Sequence, residues 1–382
     1  MKILYKTMLG VAAAVLAHSC ATAPSQTLSG LSRDNFISEI KGKATDLYTL
    51  TNSGGMEVCV TNLGGRIVSV MVPDRNGEIK DVLLGFDNVA DFADNVNTPS
   101  DFGASVGRYA NRINQGRIVI DGETIQLPQN NFGHCLHGGP EGWQYQVYDA
   151  VQPDESTVIL TMESPDGDAN FPGAVTAVVT IKLTDDNAID IRYEAVTDKK
   201  TVVNMTNHAY FNLSGDPARR VDDHLIQINA DTYTPVDATF MTTGEILPVE
   251  GTPMDFRNPV AIGQDIKNFE FEQIRFGNGF DHNWCLNTAG DDTQVAARVY
   301  CPETGICLEV FTDEPGIQFY SGNFLDGTSI GKNGTAYQQS TGFCLETQKY
   351  PDTPNKPEWP SAFLEPGQKY TSHCVYRFST IE

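Results

Sequence analysis

Residues 188–197 constrain this chain more than any other stretch. Ile189, Ile191, Tyr193 and Ala195 alternate there with Asp190, Arg192 and Glu194. Side chains repeat with a period of two only along an extended backbone, so the segment is a strand with one wet face and one dry face. The same texture recurs over 158–162, 174–183, 225–228, 295–300, 307–311 and 317–320. Turn-forming spacers separate these runs, and Pro302-Glu303-Thr304-Gly305 predicts a hairpin between two of them. No long amphipathic helix interrupts the series; only 88–95 and the 262–269 region have short helical character. Many strands without helical crossovers predict an all-β fold of antiparallel sheets packed as a sandwich.

The chain has 382 residues, and 40% hydrophobic content permits a large core. Length alone suggests two or three domains. After residue 40, however, no Pro/Ser-rich linker, charge run or low-complexity tract divides the chain, so one domain over 38–382 is expected. The N-terminus reads as a targeting segment. Lys2 and Lys6 give a basic start, Met8 to Ala17 an apolar core, and Ala17-His18-Ser19-Cys20 a loose lipobox. The apolar stretch is too short for a membrane span. Residues 1–20 are therefore expected to be a lipoprotein signal peptide, Cys20 the lipidated residue, and 21–37 a tether. This places the protein in a bacterial cell envelope, lipid-anchored and facing the periplasm. The alternative is cleavage near Ala21-Thr22-Ala23, giving a soluble periplasmic protein.

A formal net charge of -23 repels nucleic acid and anionic lipid, so neither is an expected partner, and the membrane is met only through the anchor. Apart from Cys20, seven cysteines remain, an odd number spread over apolar strands. Most are expected to be free and buried. Cys301 and Cys307 flank the hairpin turn and are a candidate bridge.

Glu346 stands in Gly342-Phe343-Cys344-Leu345-Glu346-Thr347-Gln348, which otherwise reads as a buried strand. Alternation puts Phe343, Leu345 and Thr347 on one face and Cys344, Glu346 and Gln348 on the other. An inward carboxylate is costly unless it is hydrogen-bonded, paired or used. It is either a general base at a pocket rim or an acid satisfied by backbone amides or an Arg. In Thr206-Asn207-His208-Ala209-Tyr210-Phe211-Asn212-Leu213, an extended backbone sets His208 beside Tyr210 and Asn212 on one face. Imidazole suits proton donation near neutral pH.

Two further polar clusters lie upstream. Gly107-Arg108-Tyr109-Ala110-Asn111-Arg112-Ile113 offers guanidinium and amide groups to ligand hydroxyls or a carboxylate. In Leu136-His137-Gly138-Gly139-Pro140, the glycine pair lets backbone approach a ligand closely. His134, Cys135 and His137 invite a zinc reading, but no second ligand pair stands at suitable spacing, so no metal is expected.

Taken in order, GRYANRI with Arg112, LHGG with His137, TNHAYFNL with His208, GTPMDF with Asp255, PGIQFYSGNFLDG with Gln318 and GFCLETQKYPD with Glu346 resemble the aldose 1-epimerase (galactose mutarotase) family from about Ile40 to the C-terminus. The resemblance implies a large antiparallel β-supersandwich and interconversion of the α and β anomers of free aldohexoses such as galactose and glucose, without a cofactor. It implies Glu346 as the base for the C1 hydroxyl and His208 as the acid for the ring oxygen, with a pKa kept raised by nearby carboxylates. It implies Asn111, Arg112, His137, Tyr210, Asp255 and Gln318 as the residues that bind sugar hydroxyls. An uncharged sugar is indifferent to the acidic field. Two rival readings are a glycosidase or lyase using Asp255 and Glu346, and a non-catalytic periplasmic sugar-binding lipoprotein.

Overall fold

The strand Ala188–Thr197 is central to a nine-stranded antiparallel sheet in the computed structural model, which describes residues 27–98 and 100–381. It pairs with Val175–Leu183 on one side and Tyr370–Thr380 on the other. Ile189, Ile191, Tyr193 and Ala195 are buried. The sheet extends through Thr157–Ser164 to Asp149–Asp154 at one edge. Toward the other it runs through Ile306–Thr312, Ala297–Tyr300 and Leu225–Ile228 to Val260–Ala261.

A five-stranded sheet follows the order Leu247–Pro248, Thr232–Thr234, Asp281–Cys285, Gly316–Tyr320, Cys344–Gln348. A four-stranded sheet contains Leu47–Thr51, Glu57–Thr61, Arg66–Pro73 and Ile79–Asp81. Val58 and Val60, Ile191 and Tyr193, and Ile317, Phe319 and Leu345 come from the three sheets and share one apolar core. Every pairing between these strands is antiparallel, and the sheets pack face on face as a sandwich.

Period-two alternation along the five-stranded sheet separates core from chemistry. Ile317, Phe319, Phe343 and Leu345 enter the core, so Gln318 and Glu346 must face the other way. The register places Asn283 opposite Gln318, and Gln318 opposite Glu346, in one cross-strand row. Phe211 exchanges backbone hydrogen bonds with Phe343 (2.7 and 2.9 Å), which docks the His208 segment beside the start of the Glu346 strand. Thr206–Asn207 pairs with Ser105–Val106, and Arg112–Ile113 with Cys135–Leu136. These short ladders bring four distant stretches of sequence to one place.

Several expectations are corrected. Residues 27–37 are not a free tether: the Leu28 N–H donates to Glu57 Oε1 (2.7 Å), and Leu31 and Phe36 are buried. Apolar anchors at 31 and 36 hold this stretch against the four-stranded sheet. Cys20 and residues 1–26 lie outside the described residues. The 88–95 helix exists as Val89–Ala93, capped by Asn88, whose side chain accepts the Asp91 N–H. Residues 262–269 form turns, and the helix lies downstream at Glu272–Gly277. Tyr300 pairs with Cys307, which puts Cys301 opposite Ile306 and turns the two thiols to opposite faces. Cys301 is in the core, and the seven cysteines among the described residues are free.

Candidate active site

Glu346 is only 2% exposed, and it lines a cleft of about 480 Å³. That volume falls within the range of small-molecule sites, about 300–1,000 Å³. Burying a carboxylate costs several kcal/mol. Neighbours on the same strand meet that cost, since each fully buried Leu or Phe contributes about 1.5–3 kcal/mol. Its Oε1 lies 3.7 Å from His208 Nε2, and its Oε2 has no hydrogen-bond partner among the described residues. Loss of solvent raises the Glu346 pKa well above the ordinary carboxylate value, with Asp281 and Asp101 adding to the rise and Arg112 opposing it.

The His208 ring is held by stacking on Tyr210, with centroids 4.9 Å apart and planes 10° apart. His208 and Tyr210 share a face as expected, but the ladder stops at Asn207, and Asn212 turns away to donate to the Asp216, Arg219 and Thr341 carbonyls. The expected raised pKa of His208 is overturned. Desolvation lowers it, because a fully enclosed imidazolium loses more from lost hydration than Asp101 and Asp281 return.

His137 meets His208 edge-on with centroids 5.2 Å apart. Its Nδ1 accepts the Asn111 N–H (3.0 Å), so the neutral ring carries its proton on Nε2. Burial pushes its pKa down to about 3, which keeps it neutral. His137 sits at φ 51° and Gly138 at φ 80°, two successive residues in the left-handed region. A Cβ on Gly138 would stand 2.2 Å from the Gly107 carbonyl oxygen. Gly138 therefore serves close contact between two protein segments, and so the aim of His137, rather than contact with a ligand. Arg112 also lines the cleft, its Nε donating to Asn131 Oδ1 (3.1 Å) and its guanidinium 5.0 Å over Phe240. Asn111 lines it too, with its Oδ1 accepting the Arg112 N–H (2.8 Å).

Asp255 is not brought to the cleft. Arg257 holds both its oxygens (2.9 and 2.7 Å) in a turn, so the neighbouring guanidinium takes the acceptors a sugar would need. Asp281 does line the cleft, and its Oδ1 accepts from Gln318 Nε2 (2.8 Å). Gln318 thus supports Asp281 from the row that also carries Glu346. Sequence reasoning missed Asp281, although the logic used for Glu346 applies: Phe280-Asp281-His282-Asn283-Trp284 is an acid at the start of an otherwise buried strand. Asp101, also in the cleft, follows a turn-rich stretch and carries no such signal. Arg108 points elsewhere and binds the Pro172 and Gly173 carbonyls and Ser164 Oγ.

The zinc reading of His134, Cys135 and His137 has no geometric support. His134 Nδ1 accepts the Gln115 N–H, Nε2 contacts Thr239 Oγ1, and burial pushes the Cys135 thiol up to about 12. A different trio, Asp101, His137 and His208, has potential ligand atoms within 4.8 Å of one another. His137 does not fit a metal there, because ligation through Nε2 would move its proton onto Nδ1 and against the Asn111 N–H.

Residues 46–377 match the aldose 1-epimerase family. The chain belongs to that family. It is 41% identical over 324 residues to a human galactose mutarotase, covering 85% of this chain and 91% of that protein. It is 40% identical over 339 residues to an Escherichia coli K12 aldose 1-epimerase, covering 88% and 96%. A galactose 1-epimerase structure from Lactobacillus acidophilus superposes with a TM-score of 0.79 at 30% identity, over 90% of this chain and 97% of that one. The fold is that of this aldose 1-epimerase family, which bears out the large antiparallel β-sandwich expected from sequence.

Proposed function

We propose that this aldose 1-epimerase family member interconverts the anomers of free aldohexoses such as galactose and glucose, with Glu346 and His208 handling the two protons. The observation that carries the reading is the 3.7 Å approach of His208 Nε2 to Glu346 Oε1 inside a polar cleft. Mutarotation removes the proton of the C1 hydroxyl while the ring oxygen gains one. The C1–O5 bond breaks, the aldehyde turns about C1–C2, and closure gives the other anomer. One base and one acid across the hemiacetal suffice.

Glu346 takes the C1 hydroxyl proton and His208 gives one to the ring oxygen; closure runs the same steps in reverse. Burial raises one group and lowers the other, which draws the two titrations together and favours a pair that carries a single proton. The reactive arrangement, with that proton on His208, differs only by transfer within the pair. His137 Nε2–H, Arg112 and Asn111 donate to sugar oxygens, Asp281 accepts, Tyr210 keeps the His208 ring in place, and Gln318 supports Asp281. A glycosidase would set two carboxylates across a bond, whereas the group facing Glu346 is an imidazole.

The N-terminal basic, apolar and Cys20 pattern supports a lipid-anchored, periplasm-facing location. The decisive assay is polarimetry on freshly dissolved α-D-galactose and α-D-glucose. A first-order acceleration proportional to protein concentration is expected; a drift equal to the buffer's would sink the assignment.

A further inference from the structure

Asp101 has no role in the mechanism above, yet it lines the cleft beside both histidines. Its Oδ1 is buried, and the carboxylate makes no hydrogen bond among the described residues. Such an acceptor calls for a partner supplied from elsewhere. The backbone that follows is fixed: the Ala104 N–H donates to the Asp101 carbonyl, and the Gly103 N–H to the His208 carbonyl (2.9 Å). The carboxylate is therefore held against the histidine pair by main chain, and no hydrogen bond among the described residues engages its oxygens.

We propose that Asp101 is a specificity-determining residue that accepts a hydrogen bond from the C6 hydroxyl of the sugar, with His137 Nε2–H donating to the same oxygen. This rests on the mutarotase reading of the cleft. An oxygen of Asp101 and a ring nitrogen of His137 lie within 4.8 Å. A hydroxyl both donates and accepts, and one oxygen about 2.7–3.0 Å from each group spans such a gap. The fixed tautomer of His137 supplies the donor, and the unpartnered carboxylate supplies the acceptor. The choice of hydroxyl follows from His208. With that imidazole at the ring oxygen, C1 and its hydroxyl lie toward Glu346. The other ring-oxygen neighbour, C5, bears the hydroxymethyl group, the hydroxyl this orientation leaves for the Asp101 and His137 pair that flanks His208.

The test uses the full chain and its Asp101→Ala variant on D-galactose, D-fucose (6-deoxy-D-galactose) and 2-deoxy-D-galactose. The wild type should turn over D-fucose with a kcat/KM about ten- to a hundredfold below that for D-galactose, as loss of a hydrogen bond to a charged group requires. Asp101→Ala should lose a similar factor on D-galactose and on 2-deoxy-D-galactose, mainly in KM, and lose nothing further on D-fucose. The truncation removes no hydrogen bond seen among the described residues. Asp101→Asn, which keeps the volume but is a weaker acceptor, should lose less in the same order of sugars. Equal losses on all three sugars would overturn the proposal. So would a loss confined to kcat with a displaced alkaline limb, since Asp101 would then act through His208. A wild type inactive on every sugar overturns the mutarotase reading itself, an outcome distinct from either.

Discussion

His208 Nε2 stands 3.7 Å from Glu346 Oε1, near enough for the charge of one to act on the other and beyond direct hydrogen-bond distance. That spacing suits two groups that work side by side on the two oxygens borne by C1 of one hemiacetal. It also ties the titration of each group to the other.

Glu346→Gln keeps the side-chain shape and deletes the base. Catalysed mutarotation should fall by at least the ~10²–10⁴-fold associated with general-base catalysis, with the fold and modest sugar affinity retained. Near-wild-type optical-rotation kinetics in a folded variant would remove Glu346 from the mechanism.

The pH dependence of kcat/KM should be a bell. Below the lower limb the pair takes up a second proton and the base is lost; above the upper limb it loses its last proton and the acid is lost. Burial lowers the His208 pKa and raises that of Glu346, so the lower limb lies below the ordinary imidazole value and the upper limb above the ordinary carboxylate value. In His208→Asn only Glu346 titrates, and residual activity should rise with pH through its raised pKa and then stay flat. An alkaline fall kept in His208→Asn and lost in His137→Asn would transfer the acid role to His137.

Two aspartates separate site from scaffold. Asp281→Ala should raise KM about ten- to a hundredfold, because a charged acceptor in the cleft is removed. Asp255→Ala should leave KM unchanged and lower stability by no more than about 1 kcal/mol, as its Arg257 pair is partly exposed. Steady-state kinetics with a urea melt of each variant reads both; a KM effect at Asp255 and none at Asp281 would reverse their roles.

Cys20→Ala is expected to release the protein from membranes or block its maturation. Mass spectrometry of the mature N-terminus reads the modification directly, and a soluble product beginning after Ala23 would rule out the anchor.

The strand texture was open to reading because burial on one face imposes a period of two. The run at 174–183 appears as Val175–Leu183, and that at 307–311 as Ile306–Thr312. Glu346 and His208 stood out for the same reason, as polar groups in apolar extended stretches. Asp255 was misjudged because a motif-borne acid in a turn looks the same whether Arg257 or a ligand holds it. Asp101 was invisible because its position comes from loop packing, which has no periodicity. The lowered pKa of His208 was not legible either: depth of burial is a tertiary property, and sequence showed only the neighbouring carboxylates.

The cross-strand row Asn283, Gln318 and Glu346 makes this enzyme sensitive to a kind of change that substitution scans never sample. Deleting one residue within Gly316–Tyr320 or Cys344–Gln348 would swap the two faces of everything beyond it. With Cys344 deleted, Leu345 would face the sugar, and the Glu346 carboxylate would be driven among Ile317 and Phe319. In the course of descent these strands can exchange side chains but cannot change length, so variation in length is confined to the loops that join them.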